Sequence, residues 1–220
     1  MEKVLVVSPH MDDEVLGVGG TIQKHIEQGD LVKVCFLCHR KYRNKFDKDK
    51  NDYEIKCSYR AKDILGYQEI EHLNLEDERL DIAIHLIIEP LTRVAEKFNP
   101  DVIYIPSFAD NNQDHRSAFE ACMVVFRPFA MNYRLLAAYE VHSSTDQSPP
   151  VEPFNFRPNL YVDIFRFLKN KIKAMETYNT ERRDWPHPRS AKAIEVMANK
   201  RGMEVNLDSC ESLIILRQRA

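Results

Sequence analysis

The sequence predicts an α/β protein: a mostly parallel, doubly wound sheet with helices on both faces, in three layers. Two observations point there. Short apolar runs rich in Val and Ile, at residues 4–7 (VLVV), 31–37 (LVKVCFL) and 102–105 (VIYI), read as buried strands. Stretches of helical period lie between them, and a strand–helix–strand start implies parallel pairing with a right-handed crossover.

Taken in order, residues 4–7 form the first strand and break at Ser8-Pro9. Asp13–Glu27 reads as a helix, with Val15, Leu16, Ile22 and Ile26 apolar and Gly29 as its stop. Residues 31–37 form the second strand. Residues 39–52 (HRKYRNKFDKDKND) are strongly polar and read as a loop. A helix over residues 53–65 closes at Gly66. Residues 69–75 alternate as a half-buried strand. An amphipathic helix is expected over residues 80–98, ended by Asn99-Pro100. The strand at 102–105 leads through a polar loop to a helix over residues 114–126. Further strands are expected at 134–141, 160–164 and 211–216, and helices at 165–178 and 190–200. There are no internal repeats, and the chain reads as one domain, with residues 149–220 a smaller portion packed on a 1–148 core.

Composition narrows the class. A net charge of −3 supplies no field for a polyanion and argues against a dedicated nucleic-acid binder. No apolar run approaches the roughly 20 residues of a membrane span. Five cysteines in a chain of this size, with no signal-like start, suggest reduced thiols and a cytoplasmic home. Cys35 and Cys38 form a CxxC, but on a strand their thiols should face opposite ways, which favours a structural role. Gly17, Gly19 and Gly20 lie inside a helix and lack the GxGxxG spacing of a dinucleotide site. Oligomeric state is not legible; a homo-oligomer is compatible with the sequence.

The chemistry concentrates after the first strand, where His10, Asp12, Asp13 and Glu14 fall within five positions. An acidic helix start needs no further role than capping and the helix dipole. That leaves His10 unexplained, and half of a metal site, with His10 and Asp13 as ligands and Asp12 as a free base, explains it. The strand at 102–105 repeats the arrangement and runs into Asp114-His115. In a parallel sheet both loops leave the same edge, so His115 can join His10 and Asp13. Two imidazoles and a carboxylate with an open fourth position make the ligand set of a catalytic zinc site. Iron, cobalt or manganese could use the same donors.

Pro9-His10-Met11-Asp12-Asp13-Glu14, together with Asp114-His115-Arg116, resembles the LmbE-like (PIG-L) family of zinc-dependent N-deacetylases. Residues 73–80 (LNLEDERL), 139–141 (YEV), 158–164 (PNLYVDI) and 187–190 (HPRS) resemble further segments of that family, so the likeness extends over most of the chain. It implies a Rossmann-like fold, a Zn2+ cofactor on His10, Asp13 and His115, and Asp12 as general base. The implied reaction is removal of acetyl from an N-acetylglucosaminyl-type amino sugar, free, phosphorylated or carrier-linked. A divalent ion there lowers the pKa of its water to about 7 and polarises the carbonyl, and Asp12 carries the proton to the leaving amine. Asp114 is expected to orient a ligand.

The sequence departs from the pattern at two places. Asn112 stands where many members have an imidazole near the oxyanion, so Asn112 or His142 should supply that donor. His39-Arg40-Lys41-Tyr42-Arg43 replaces small or acidic residues, and Arg40 and Arg43 could clamp an anionic substrate group. Asp110 and His187 complete the expected substrate contacts. Hydrolysis of another amide or ester, or a binding protein that has lost catalysis, are the alternative readings.

Overall fold

The computed structural model describes residues 1–42 and 45–220. Its centre is a seven-stranded sheet. Strands β1 (Lys3–Ser8), β2 (Leu31–His39), β5 (Glu69–Glu76), β6 (Val102–Pro106) and β7 (Leu135–Tyr139) are parallel. β8 (Leu160–Asp163) and β9 (Cys210–Gln218) extend the same sheet through antiparallel pairs, giving the order β5-β2-β1-β6-β7-β9-β8. A two-stranded ribbon, β3 (Lys41–Tyr42) and β4 (Lys45–Phe46), stands apart from it. The chain leaves β1 towards β2 and β5, then returns to the other side of β1 as β6. The strand order therefore reverses between β1 and β6, which in such sheets is where ligands bind.

Successive residues of β1 feed two cores, because side chains alternate across a strand. Val4 and Val6 face one cluster, built with helices α1 (Asp13–Glu27), α2 (Lys48–Leu65), α5 (Leu168–Thr177) and α6 (Ala191–Met203). Leu5 and Val7 face the other, built with α3 (His85–Phe98) and α4 (Gln113–Val125). Helices thus cover both faces, as the pattern predicts, and the last 72 residues are woven into the sheet and the first helical layer rather than set apart.

Three local expectations are corrected. The helix expected over residues 80–98 begins only at His85. The preceding turn is held elsewhere, since the Asp114 carboxylate accepts from the backbone N–H of Glu78 (2.7 Å) and Leu80 (3.1 Å). The polar loop at 39–52 is shorter than its composition suggests: β2 runs to His39, and α2 starts at Lys48, with Asp47 capping the Lys50 N–H at 3.1 Å. Cys35 and Cys38 do not face opposite ways. A bulge between Phe36 and Cys38 turns both into the α3/α4 core, where burial raises both thiols.

Helix α1 is kinked at Val18 (φ −138°, ψ 21°), which breaks its hydrogen-bond ladder. A buried ion pair repairs the break. The Glu211 carboxylate accepts from the N–H groups of Gly20 (2.8 Å) and Thr21 (2.7 Å), while Lys171 Nζ donates to Leu16 O (2.8 Å) and to Glu211 (2.7 Å). A Cβ at Gly17 would sit 2.2 Å from the Tyr139 ring, so only glycine fits there.

Candidate active site

The two loops that flank the reversal point carry the expected ligands. His10 Nδ1, Asp13 Oδ2 and His115 Nε2 form a triangle with sides of 3.2, 3.1 and 3.2 Å. Bonds of about 2.0–2.2 Å, those of zinc to imidazole and carboxylate, suit three donors at this spacing. All three residues are buried. Two imidazole nitrogens 3.2 Å apart can share a proton or a cation, and the third donor, Asp13 Oδ2, at the same spacing from both makes the set suitable for a cation. The residues present therefore fit a single divalent ion.

Each histidine is backed by carboxylate on its other nitrogen. His10 Nε2 lies 3.1 Å from both Asp77 and Asp114, and His115 Nδ1 lies 3.1 Å from Asp110. Such carboxylate–imidazole pairs fix the tautomer and raise the basicity of a ligand. Burial works against a charged His10, but hydrogen bonds to Asp114, Asp13 and Asp77 outweigh it and hold the imidazole well above its ordinary value. For His115 burial is likewise overcome, by the charges of Asp13 and Asp110, and the ring is raised to about 9. The site is thus built to hold positive charge. Cys38 lies in the same cluster as His10, Asp77 and Asp114. Asp114, however, is occupied by backbone N–H groups, so this group is read as support for His10 rather than as a second ion site.

Asp12 sits at the turn itself, with φ 129° and ψ −24°, a region costly for any residue with a Cβ. Glu14 holds it there: its Oε2 accepts the Asp12 N–H at 3.1 Å and its Oε1 accepts the Tyr178 hydroxyl at 2.7 Å. Burial pushes Glu14 up to about 8. The strained turn directs the Asp12 carboxylate between two guanidiniums. Arg40 Nη2 is 3.5 Å from Oδ1 and Arg189 Nε is 3.5 Å from Oδ2. Burial raises the Asp12 carboxyl to about 6, against the pull of Arg189 and Arg40 in the other direction. A carboxylate near 6 with an oxygen, Oδ2, that accepts no hydrogen bond among the described residues can take up a proton close to neutral pH. Glu181 ties the two guanidiniums together, 3.4 Å from Arg40 and in a short contact with Arg189.

The remaining expected residues fall as follows. Asn112 is the N-cap of α4, its Oδ1 accepting the Asp114 N–H at 2.8 Å. Asp110 is buried behind His115 and also accepts from Ser144 and Thr145. Arg40 is in the site but bound to Asp12 and Glu181, whereas Arg43 lies outside the described residues. His187 is exposed and its Nδ1 accepts the Arg189 N–H at 3.1 Å, so Arg189, two residues on, enters the site in its place. His142 is buried, and among the described residues its Nδ1 has no hydrogen-bond partner. Sequence reasoning passed over Asp77, Glu181 and Arg189 as site residues. Asp77 and Arg189 do lie in LNLEDERL and HPRS, segments noted for another reason.

Burial depresses His142 to about 4, so a falling pH protonates the unfolded chain first. Its contribution to stability is complete above about 6.5 and is lost between there and about 4, a difference of roughly 3 kcal/mol. Urea unfolding of chelator-treated protein at pH 7 and pH 4 should show a smaller loss for His142→Gln than for the wild type. Equal losses would mean that the ring is not buried neutral.

A family model described as GlcNAc-PI de-N-acetylase, PIG-L, matches residues 5–126, which contain His10, Asp13 and His115. The chain belongs to the PIG-L family. It is also 27% identical over 197 residues to the diacetylchitobiose deacetylase of Thermococcus kodakarensis, covering 82% of this chain and 70% of that protein. Among solved structures, the conserved protein TT1542 of Thermus thermophilus superposes with a TM-score of 0.81 at 22% identity, over 100% of this chain and 97% of the other. The N,N'-diacetylchitobiose deacetylase of Pyrococcus horikoshii, complexed with its inhibitor, gives 0.80 at 21% identity over 98% and 84%. These two confirm the α/β architecture. This PIG-L deacetylase has, among its described residues, no helix long and apolar enough to cross a membrane.

Proposed function

We propose that this PIG-L deacetylase is a metal-dependent, in the first instance zinc-dependent, hydrolase that removes the acetyl group from an N-acetylglucosaminyl-type amino sugar. The observation that carries the reading is the triangle of His10 Nδ1, Asp13 Oδ2 and His115 Nε2, each side 3.1–3.2 Å, with Asp12 beside it. The ion, when bound, supplies a Lewis acid for the carbonyl and an activated water. The chain supplies the rest. Asp77, Asp114 and Asp110 keep the two imidazoles in the ligating orientation. Asp12 Oδ2 accepts the proton of the attacking water and returns it to the departing amine nitrogen.

Charge in the site supports a neutral acylamino sugar over a phosphorylated one. Arg40 and Arg189 are balanced by Asp12 and Glu181, so the group carries no net positive charge to match the double charge of a phosphate, although a single guanidinium N–H can still meet one oxyanion. The relatives named diacetylchitobiose deacetylase point to the same substrate class.

The test is acetate release by zinc-loaded protein from N-acetylglucosamine, N,N'-diacetylchitobiose and a phosphorylated N-acetylglucosamine. Turnover of the neutral sugars, its loss on chelation and its return with zinc are expected. Release that survives complete removal of metal, or no release from any of the three, would refute the reading.

A further inference from the structure

The site lacks the imidazole expected at position 112, and Asn112 is occupied in capping α4. Hydrolysis of an amide still builds negative charge on the carbonyl oxygen, and a donor aimed at that charge is worth a large factor in rate. Arg189 has the means. It comes from the segment between α5 and α6, far in sequence from the ligands, and is anchored on three sides. Its Nε donates to Ser143 Oγ at 3.1 Å and lies 3.5 Å from Asp12 Oδ2, its Nη1 donates to Glu181, and its backbone N–H is held by His187. Among the described residues its Nη2 has no hydrogen-bond partner. Arg40 is placed less well: its Nη2 already meets both Asp12 and Glu181, and its Nε, though without a hydrogen-bond partner among the described residues, is fully enclosed by protein. Arg189 is also the less enclosed of the two, its side chain 22% exposed against 11%.

We propose that Arg189 is a catalytic residue that donates from Nη2 to the carbonyl oxygen as it becomes tetrahedral, taking the place of the absent imidazole. The inference rests on the amide-hydrolase reading of the site, though not on the sugar. Glu181 and Ser143 act as positioning residues that fix the plane of the guanidinium. The donor carries a permanent charge, so it needs no proton of its own in the cycle. The only proton that moves is the one on Asp12.

The test compares wild type, Arg189→Gln and Arg189→Lys, all zinc-loaded and with metal content measured. The probes are methylphosphonate, tetrahedral and anionic like the reacting centre, and acetate, planar like the product. Arg189→Gln should bind methylphosphonate about 100-fold more weakly and acetate almost as before. For a substrate that is turned over, kcat should fall by a similar factor with KM little changed. Arg189→Lys, which keeps the charge but loses the planar fork, should fall in between. If Arg189 acted only through Asp12, the acid limb of the pH–rate profile would move and the ratio of methylphosphonate to acetate affinity would not. An unchanged ratio overturns the proposal. Arg189-dependent methylphosphonate binding in a protein that releases acetate from no amino sugar would leave the proposal standing and remove the sugar.

Discussion

Asp12→Asn should keep its metal and lose turnover by about 10²–10⁴-fold, the usual worth of a positioned general base. The substitution preserves volume and the backbone hydrogen bond to Glu14, so the turn at φ 129° is retained. It removes the ability to accept and return a proton. It also removes a charge set between Arg40 and Arg189, so some loosening of both is expected. Measured together, metal content by elemental analysis and acetate release by a coupled assay separate loss of chemistry from loss of the site. Full metal with near-wild-type turnover would show that the proton passes through another group.

Lys171→Met should be the most destabilising single change away from the site. It leaves Glu211 buried without its cation, with the Leu16 carbonyl freed at the kink of α1. Breaking a buried pair by removing one partner costs about 3–5 kcal/mol. For a chain of this length each kcal/mol lowers Tm by roughly 2–4 °C, so a drop of about 10 °C is expected in calorimetry. Replacing both partners, Lys171→Met with Glu211→Leu, should recover part of the charge penalty but not the caps on Gly20 and Thr21. A Tm within two or three degrees of wild type for the single variant would show that the pair does not hold the kink.

Much of this was legible in the sequence because it is written locally. The run at residues 4–7 and the His10–Glu14 cluster lie within one strand and one turn, and their periodicity fixes where the side chains go. The second half of the site, His115, could be joined to the first because parallel strands deliver their following loops to one edge. What was not legible depends on contacts between distant segments. Nothing about Arg189 or Glu181 reveals that the stretch between α5 and α6 folds over Asp12. Asp110 reads as a substrate contact in a polar loop, yet hydrogen bonds from Ser144 and Thr145 draw it in behind His115. The start of α3 was misplaced because Asp114, a residue of another helix, holds the backbone of Glu78 and Leu80. The facing of Cys38 was lost to a bulge, which no strand periodicity encodes.

The reversal of strand order between β1 and β6 has a bearing on assembly as well as on chemistry. Two proposed ligands lie three residues apart and the third follows about a hundred residues later, so a nascent chain has no complete set until β6 and the start of α4 have docked against β1. A bound ion would then act as a clasp across the seam where the two halves of the sheet meet. Occupancy would tighten that seam by mass action, and metal supply would govern the lifetime of the folded protein as well as its rate.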